Sequence, residues 1–477
     1  MLSNQFFNPV PKEVINNLNN NTKNLTVGSP FKLILGFAAP MLLGLLFQQL
    51  YNMADAIIVG KWLGVDALAA VGSVGSLNFM VMGFCIGVCT GFAIPVAQSF
   101  GAEDFTRLRK FFANSLWLSA IFSAVMTIVV CIFCKPILQI MKTPENIFDE
   151  AYKYIFVIFL GIPATFLYNL LSGVIRAVGD SKTPVYFLLL SSVINVALDI
   201  VSIGVFKMGV MGPAVATVIA QGISGVLCIF YIIRKFSILH IKKNERKFDK
   251  SFIMPLITAG VPMGLQYSIT AIGSVVLQTS VNTLGSDYVA AVTAGGKVSI
   301  FFCCPFEALG GTMATFAGQN IGAKKPRRIK QGIISAVAIG AVYSAVTALV
   351  LCFFGDTIAL LFMDSENTQI LACTQQFLTV NSLSYILLTL VNTVRFCIQG
   401  MGYSMLSIVS GISEMFARGI MGFFIVPLFG YTAVCFANPL AWLMADLFLI
   451  PAFIYCLNRK KKRFEKEDSA EKQLLST

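Results

Sequence analysis

Two 23-residue stretches, Phe112 to Cys134 and Ile333 to Gly355, carry no charged side chain at all. About 20 apolar residues cross the hydrocarbon core of a bilayer as a helix. In lipid every backbone polar group must be satisfied within the structure, which leaves helices or closed barrels. A barrel strand alternates apolar and polar residues over about ten positions, and no segment here does so. The chain therefore reads as an all-α, polytopic membrane protein. Only 12% of its 477 residues are charged, about half the share of a soluble domain.

Twelve such spans are expected, at 32–60, 66–94, 108–134, 151–174, 184–206, 212–234, 252–283, 288–318, 328–355, 370–398, 404–428 and 432–457. The even-numbered connections collect the basic residues: Arg107, Arg109 and Lys110, then Arg176 and Lys182, then the 234–250 stretch, then Lys324, Lys325, Arg327, Arg328 and Lys330. The tail adds Arg459 through Arg463, whereas the odd connections hold only scattered lysines (Lys61, Lys142, Lys207) and the acids Asp356, Asp364 and Glu366. Basic loops stay on the cytoplasmic side, so both termini are expected there, in a bacterial-type cytoplasmic (inner) membrane. This distribution also explains the net charge of +12 without a nucleic-acid partner. The first 28 residues are polar and Asn-rich, and read as a disordered cytoplasmic tail and not as a cleavable signal. In a cytoplasmic tail the glycosylation pattern Asn24-Leu25-Thr26 carries no meaning.

An internal repeat sets the architecture. Gly64-Val-Asp66-Ala-Leu-Ala69-Ala70-Val71 returns as Gly285-Ser-Asp287-Tyr-Val-Ala290-Ala291-Val292, and Gln98-Ser-Phe-Gly101-Ala102 as Gln319-Asn-Ile-Gly322-Ala323, both at an offset of 221. Pro40 answers Pro262 at 222. Six spans per copy is an even number, so the copies share one orientation about an axis along the membrane normal. The expected arrangement is two pseudo-two-fold-related six-helix bundles, 32–234 and 252–457, around a central cavity. A cytoplasmic tail (1–31), a basic linker (235–251) and a C-terminal tail (458–477) complete the chain.

Charge inside the spans then marks the candidate sites, because a carboxylate at the bilayer centre costs about 2.5–3.5 kcal/mol on insertion scales. Gln48, Asn52 and Asp55 share one face of span 1, and Ser192, Asn195, Asp199 and Ser202 share one face of span 5. Thr217, Gln221 and Ser224 do the same in span 6. Asp55, Asp199 and Thr217 all fall in the outer third, so the three faces are expected to meet in one wet pocket. Two carboxylates in such a pocket do not both stay ionised, which suits a proton site. Asn195 and Thr217 would add neutral oxygens for a sodium site. Asp199 could instead be packing glue bonded to Asn195 and Thr217, but glue needs no second carboxylate at the same depth. Pro40 is expected to kink span 1.

The second copy lacks counterparts of these aspartates. At an offset of 219, Glu414 falls where Asn195 sits and Arg418 where Asp199 sits. An i, i+4 Glu–Arg pair can neutralise itself, so a structural ion pair and a substrate site stand level. Glu307, near the middle of span 8, has no partner in the sequence and is the better candidate to meet a cationic substrate. Asp446 in span 12 is a weaker one. Glu307, Glu414, Arg418 and Gln278 are the candidates for the substrate cavity. Arg176 and Arg395 are expected to snorkel to the span ends. The twelve cysteines are scattered through apolar spans, and Cys131-Ile-Phe-Cys134 lacks partner ligands, as does the single histidine, His240. No resident metal, cofactor or enzymatic chemistry is expected.

The chain resembles the multidrug and toxic compound extrusion (MATE) family over essentially its whole length. The resemblance is carried by the six-plus-six repeat, Pro40 with Asp55, the twin Gln-x-x-Gly-Ala turns, Arg176-Ala-Val-Gly179-Asp180 and Asn195-x-x-x-Asp199. It is specific to a prokaryotic branch with an aspartate in the first helix. The resemblance implies a cation-binding set of Gln48, Asp55, Asn195, Asp199 and Thr217, with H⁺ or Na⁺ as coupling ion. It also implies alternating-access antiport that exports organic, cationic and amphiphilic compounds. Partners are then small molecules and the bilayer, with no obligate protein partner. The rival reading is a flippase or metabolite exporter on a related two-bundle fold. A membrane enzyme lacks a nucleophile–base pair here, and a passive channel does not need this asymmetric placement of acids.

Overall fold

The computed structural model describes residues 23–360 and 368–476. Residues 1–22 of the tail, with most of its Asn-rich run, and the acids Asp364 and Glu366 lie outside the described residues. The described residues form helices joined by short turns, and no strand occurs among them. The first half comprises α1 (Pro30–Leu63), α2 (Val65–Ser73), α3 (Gly75–Gly101), α4 (Phe105–Ile140), α5 (Glu145–Leu160), α6 (Ile162–Ala177), α7 (Thr183–Gly204) and α8 (Met211–Lys235). The second comprises α9 (Lys250–Asn282), α10 (Ser286–Gly322), α11 (Pro326–Ala359), α12 (Thr368–Leu383), α13 (Tyr385–Gly400), α14 (Met405–Ile420), α15 (Val426–Phe429) and α16 (Tyr431–Ser476).

Ten helical stretches are long and apolar enough to cross a membrane, and twelve result when α5–α6 and α12–α13, bent by 45° and 49°, each count as one span. These overlap the twelve expected positions, except that the second span runs Gly75–Gly101 where 66–94 was expected, because Val65–Ser73 forms a separate short helix. The first bend has a visible cause: Gly161 ends α5 and Pro163 opens α6, where its missing N–H costs no hydrogen bond. α1 continues through Pro40 as one helix, as α9 does through Pro262.

The repeat is legible in backbone geometry. Gly64 and Gly285 enter their helices at φ of +93° and +113°, a region that glycine alone occupies without strain. Glu103 and Lys324, 221 residues apart, close the twin Gln-x-x-Gly-Ala turns at φ of 56° and 54°. Helices α3 and α9, one from each half, pack through Gly87 and Gly91 against the backbone of Gly260 and Gly264, where added Cβ atoms would have no room. This small-xxx-small spacing on both helices lets the backbones approach closely without apolar driving force from lipid.

The twin turns meet each other at the basic end of the bundle. Gly101 packs on the Gln319 backbone and Gly322 on that of Gln98. The Gln98 amide donates to the Gly400 carbonyl and the Gln319 amide to the Ala177 carbonyl, each at 2.9 Å. Each half thus bonds the last turn of a helix in the other. The reading of residues 23–28 as disordered tail is corrected here. Lys23 N–H donates to Gly179 O at 2.9 Å, and the N–H of Leu25 donates to Gln319 Oε1 at 3.0 Å. Asn320 donates to the Leu25 carbonyl at 3.2 Å, and the Leu25 side chain is fully buried. This polar segment with one apolar plug thus ties the turn after α6 to the last turns of α10.

The 235–250 connection is also docked, not loose. Phe236, Ile238 and Leu239 are buried, and Arg109 in α4 grips Glu245 through two bonds of 2.7 and 2.8 Å. Burial alone would raise the Glu245 pKa. The bonds from Arg109 and from the Lys242 N–H outweigh it and hold the carboxyl below its usual range.

Candidate functional site

A cavity of about 550 Å³ lies inside the first bundle and reaches the second. It runs from Ala97, Ala177 and Thr315, just above the twin turns, to Asn52 and Asp55 toward the opposite end. The three polar faces anticipated from spacing do meet along it. Helix α1 delivers Gln48, Asn52 and Asp55, α7 delivers Ser192 and Asn195, and α8 delivers Thr217, Gln221 and Ser224.

At the upper end Asn195 links the groups. With its amide nitrogen toward Asp55 it donates at 2.9 Å, and its oxygen then accepts from Thr217 Oγ1 at 3.3 Å and Thr217 N–H at 3.2 Å. That orientation satisfies both neighbours, which fixes the amide. Asp199 is fully buried behind Asn195, and no protein donor satisfies either of its carboxylate oxygens. Asp55 and Asp199 stand within hydrogen-bonding reach of each other. Two carboxylates make that bond only with a proton between them. The oxygens of Asp55, Asp199, Asn195 and Thr217 are also hard donors of the type a sodium ion takes. No group of three or more His, Cys, Asp or Glu with metal-holding geometry occurs among the described residues.

Two tyrosines were not anticipated. Tyr51 lies one turn before Asp55 on the same face of α1, and Tyr154 reaches the site from α5. The i, i+4 spacing could have flagged Tyr51. Nothing in the local sequence around Tyr154 marks it, because it arrives through tertiary packing.

The other candidates divide. Glu307 lines the cavity from the second bundle, beside Tyr267. Glu414, Arg418 and Gln278 do not line it, and their assignment to the cavity wall is corrected. Gln278 donates to Asn282, one turn on in α9, at 2.9 Å. Glu414 is 3% exposed and carries two guanidinium partners: Arg395, which bonds its Oε1, and Arg418 at 3.6 Å. The expected i, i+4 pair is therefore the looser half of a triad, because α13 places Arg395 directly opposite. Asp446 is buried nearby with no donor on either oxygen. The snorkelling expected of Arg395 and Arg176 is likewise corrected. Arg395 is 5% exposed and also donates to Ser410 at 3.1 Å. Arg176 lines the cavity, its Nη2 folded back toward Gly173.

The chain matches the MatE family model twice, over residues 40–201 and 262–425, the two copies that the repeat separates. Among curated proteins it is 31% identical to the probable multidrug resistance protein YoeA of Bacillus subtilis (strain 168), over 74% of this chain and 77% of that one. It is 24% identical to a FAD transporter of Shewanella oneidensis (strain MR-1), over 74% and 78%. Among solved structures it superposes on a MATE crystal structure in complex with MaL6 at a TM-score of 0.85, with 22% identity over 93% of this chain and all of the other.

Proposed function

The chain belongs to the MatE family, and from that premise we propose that it is a cation-coupled exporter of organic compounds, a transporter and not an enzyme. One observation carries the coupling: Asp55 lines the cavity with Asp199 buried beside it, and neither carboxylate has a basic partner. A proton or a sodium ion entering there neutralises the pair, with Gln48, Asn195 and Thr217 completing the set. Such an ion drives a conformational change only through its differential affinity for the two states. Here the basic end is closed by the twin turns and residues 23–28, so the ion enters from the opposite end. Its binding favours rearrangement around Pro40, loss of the cavity and release of substrate. The inward-open state that follows requires the Gln98–Gly400 and Gln319–Ala177 bonds to break.

The basic end faces the cytoplasm in this reading, with both termini there, in a bacterial-type cytoplasmic membrane. The two bundles, 32–234 and 252–457, act as the moving halves, and the docked 235–251 linker travels with the first. The partners are small molecules and lipid, with no nucleic acid and no obligate protein. Glu307 would meet the cationic part of an amphiphilic substrate. The relatedness to YoeA supports multidrug export. A second reading, export of a metabolite, is favoured by the relatedness to a FAD transporter.

The test is efflux of a fluorescent organic cation from proteoliposomes under an imposed pH or sodium gradient, at clamped potential. Efflux driven by one gradient in wild type and lost in both Asp55→Asn and Asp199→Asn is the expected result. Efflux that survives both substitutions overturns the site.

A further inference from the structure

Apart from Asp55, the central cavity holds two charges that the protein leaves unanswered. Glu307 projects into it from α10 with no hydrogen bond or ion pair to any described residue, and more than a third of it is accessible from inside the cavity. Arg176 projects into it from α6. The ionisable groups around its guanidinium are Tyr168, Cys89 and Cys228, with no carboxylate among them. The nearest acid in sequence, Asp180, is unavailable. It is fully buried and accepts from Lys182 N–H, Thr183 N–H, Thr183 Oγ1 and Tyr231 OH. Other acids in this chain have arginine partners, Glu414 in Arg395 and Arg418 and Glu245 in Arg109. An intramembrane charge kept open in a cavity is a group kept for something that enters.

The two groups have opposite sign, stand on different bundles and lie at different depths. Gln319 bonds Ala177, so Arg176 is rooted about 12 residues below Glu307 along α10, a rise of roughly 18 Å. The guanidinium folds back by about one turn, which leaves an offset on the order of 12 Å between the charges along the helix axis. Tyr168, Tyr267, Phe396 and Met41 line the space between.

We infer that the cavity recognises zwitterionic substrates: an aromatic or apolar body with a cationic amine for Glu307 at one end and a carboxylate or phosphate for Arg176 at the other. The inference rests on the export reading and narrows its substrate class. It also gives each bundle one end of the substrate. A molecule held by both ends then bridges the two halves that must separate for access to alternate.

Three probes sharing one aromatic core test this: an amino acid zwitterion with its ammonium and carboxylate at opposite ends of the core, its methyl ester (cation only) and its N-acetyl derivative (anion only). Binding to detergent-solubilised protein is measured by calorimetry, and efflux is measured in proteoliposomes. Wild type is expected to bind the zwitterion at least about tenfold more tightly than either singly charged probe. Arg176→Gln should remove that advantage and leave the ester unchanged, and Arg176→Lys should restore much of it. Glu307→Gln should weaken zwitterion and ester alike.

Equal wild-type affinity for zwitterion and ester overturns the inference, and so does an Arg176→Gln effect that is the same for all three probes. Binding of the expected pattern with no ion-driven efflux of any probe would instead sink the export reading while the recognition stands. Ion-driven efflux of the ester with no zwitterion preference would sink the recognition alone.

Discussion

The repeat places Asn195 and Asp199 of the first bundle opposite Glu414 and Arg418 of the second, and the two copies treat the same helix face in opposite ways. In the first, Asp199 is buried without a donor and faces a second carboxylate beside a cavity. In the second, Glu414 is clamped between Arg395 and Arg418 away from the cavity, and Arg418 Nε reaches Asn438 at 3.4 Å. Asp55 has no acidic counterpart at all: the offset of 222 lands on Leu277, which is buried in apolar packing. A paired cluster holds helices together, whereas an uncompensated one invites an ion. On the proposed reading, the duplicated scaffold keeps its coupling carboxylates in one copy and an ion-paired cluster at the matching face of the other.

The largest expected effect tests the structural side. Glu414→Gln strands two buried guanidinium groups, at a cost of about 3–5 kcal/mol, and should lower the thermal midpoint of the solubilised protein. Asp199→Asn removes no counter-charge and should shift stability by less than about 1 kcal/mol. If the two variants melt alike, the contrast between the copies fails.

Next comes the amide that ties the working site together. Asn195→Leu removes its bond to Asp55, and a hydrogen bond to a charged group is worth about 1.5–3 kcal/mol. That bond stabilises the ionised carboxylate, so for a proton the concentration giving half-maximal efflux should fall about tenfold, whereas for a sodium ion, which loses the Asn195 oxygen, it should rise.

The twin turns allow a finer comparison within a near-symmetric pair. Gln319 makes two cross-bundle bonds, to Ala177 and from Leu25, whereas the Gln98 amide makes one, to Gly400. Gln319→Ala should thus bias the protein toward opening at the basic end more than Gln98→Ala does, by about 1 kcal/mol. Labelling of a cysteine at Thr315 from that side, at a fixed time, reads the difference.

An effect of similar size concerns the linker. The Glu245 carboxyl has its pKa held down in the folded protein, mainly by Arg109 against the opposing effect of burial. Its stabilising contribution is therefore present above the ordinary carboxylate pKa of about 4.3. It is lost as pH falls through the lower, folded value. Arg109→Ala should cost about 1–2 kcal/mol at neutral pH, and the difference from wild type should vanish on acidification below that range.

Much of this was open to a linear reading. Asp55, Asn195 and Thr217 could be joined because each lies on a polar stripe at helical spacing, and three stripes at one depth have few ways to avoid meeting. Tyr154 could not, because α5 carries no such stripe and Tyr154 arrives only through tertiary packing. Arg176 was misjudged for a similar reason. Its position near a span end suggests a side chain reaching for water, but its water is inside the cavity. Leu25 was lost in a polar tail because a single apolar residue has no periodicity to reveal its burial.

The sequence by itself determined that the chain is helical, membrane-spanning and duplicated, since length without charge, helical spacing and a constant offset are properties of the chain taken in order. It also determined which carboxylates had to be explained. Only the tertiary structure decided which charges are answered and which are left open. Arg395 rather than Arg418 is the closer partner of Glu414, and Glu307 and Arg176 face a shared cavity. Partnership between charges depends on helices that lie far apart in sequence, and in low-dielectric surroundings that partnership fixes whether a charge binds the protein together or waits for a ligand.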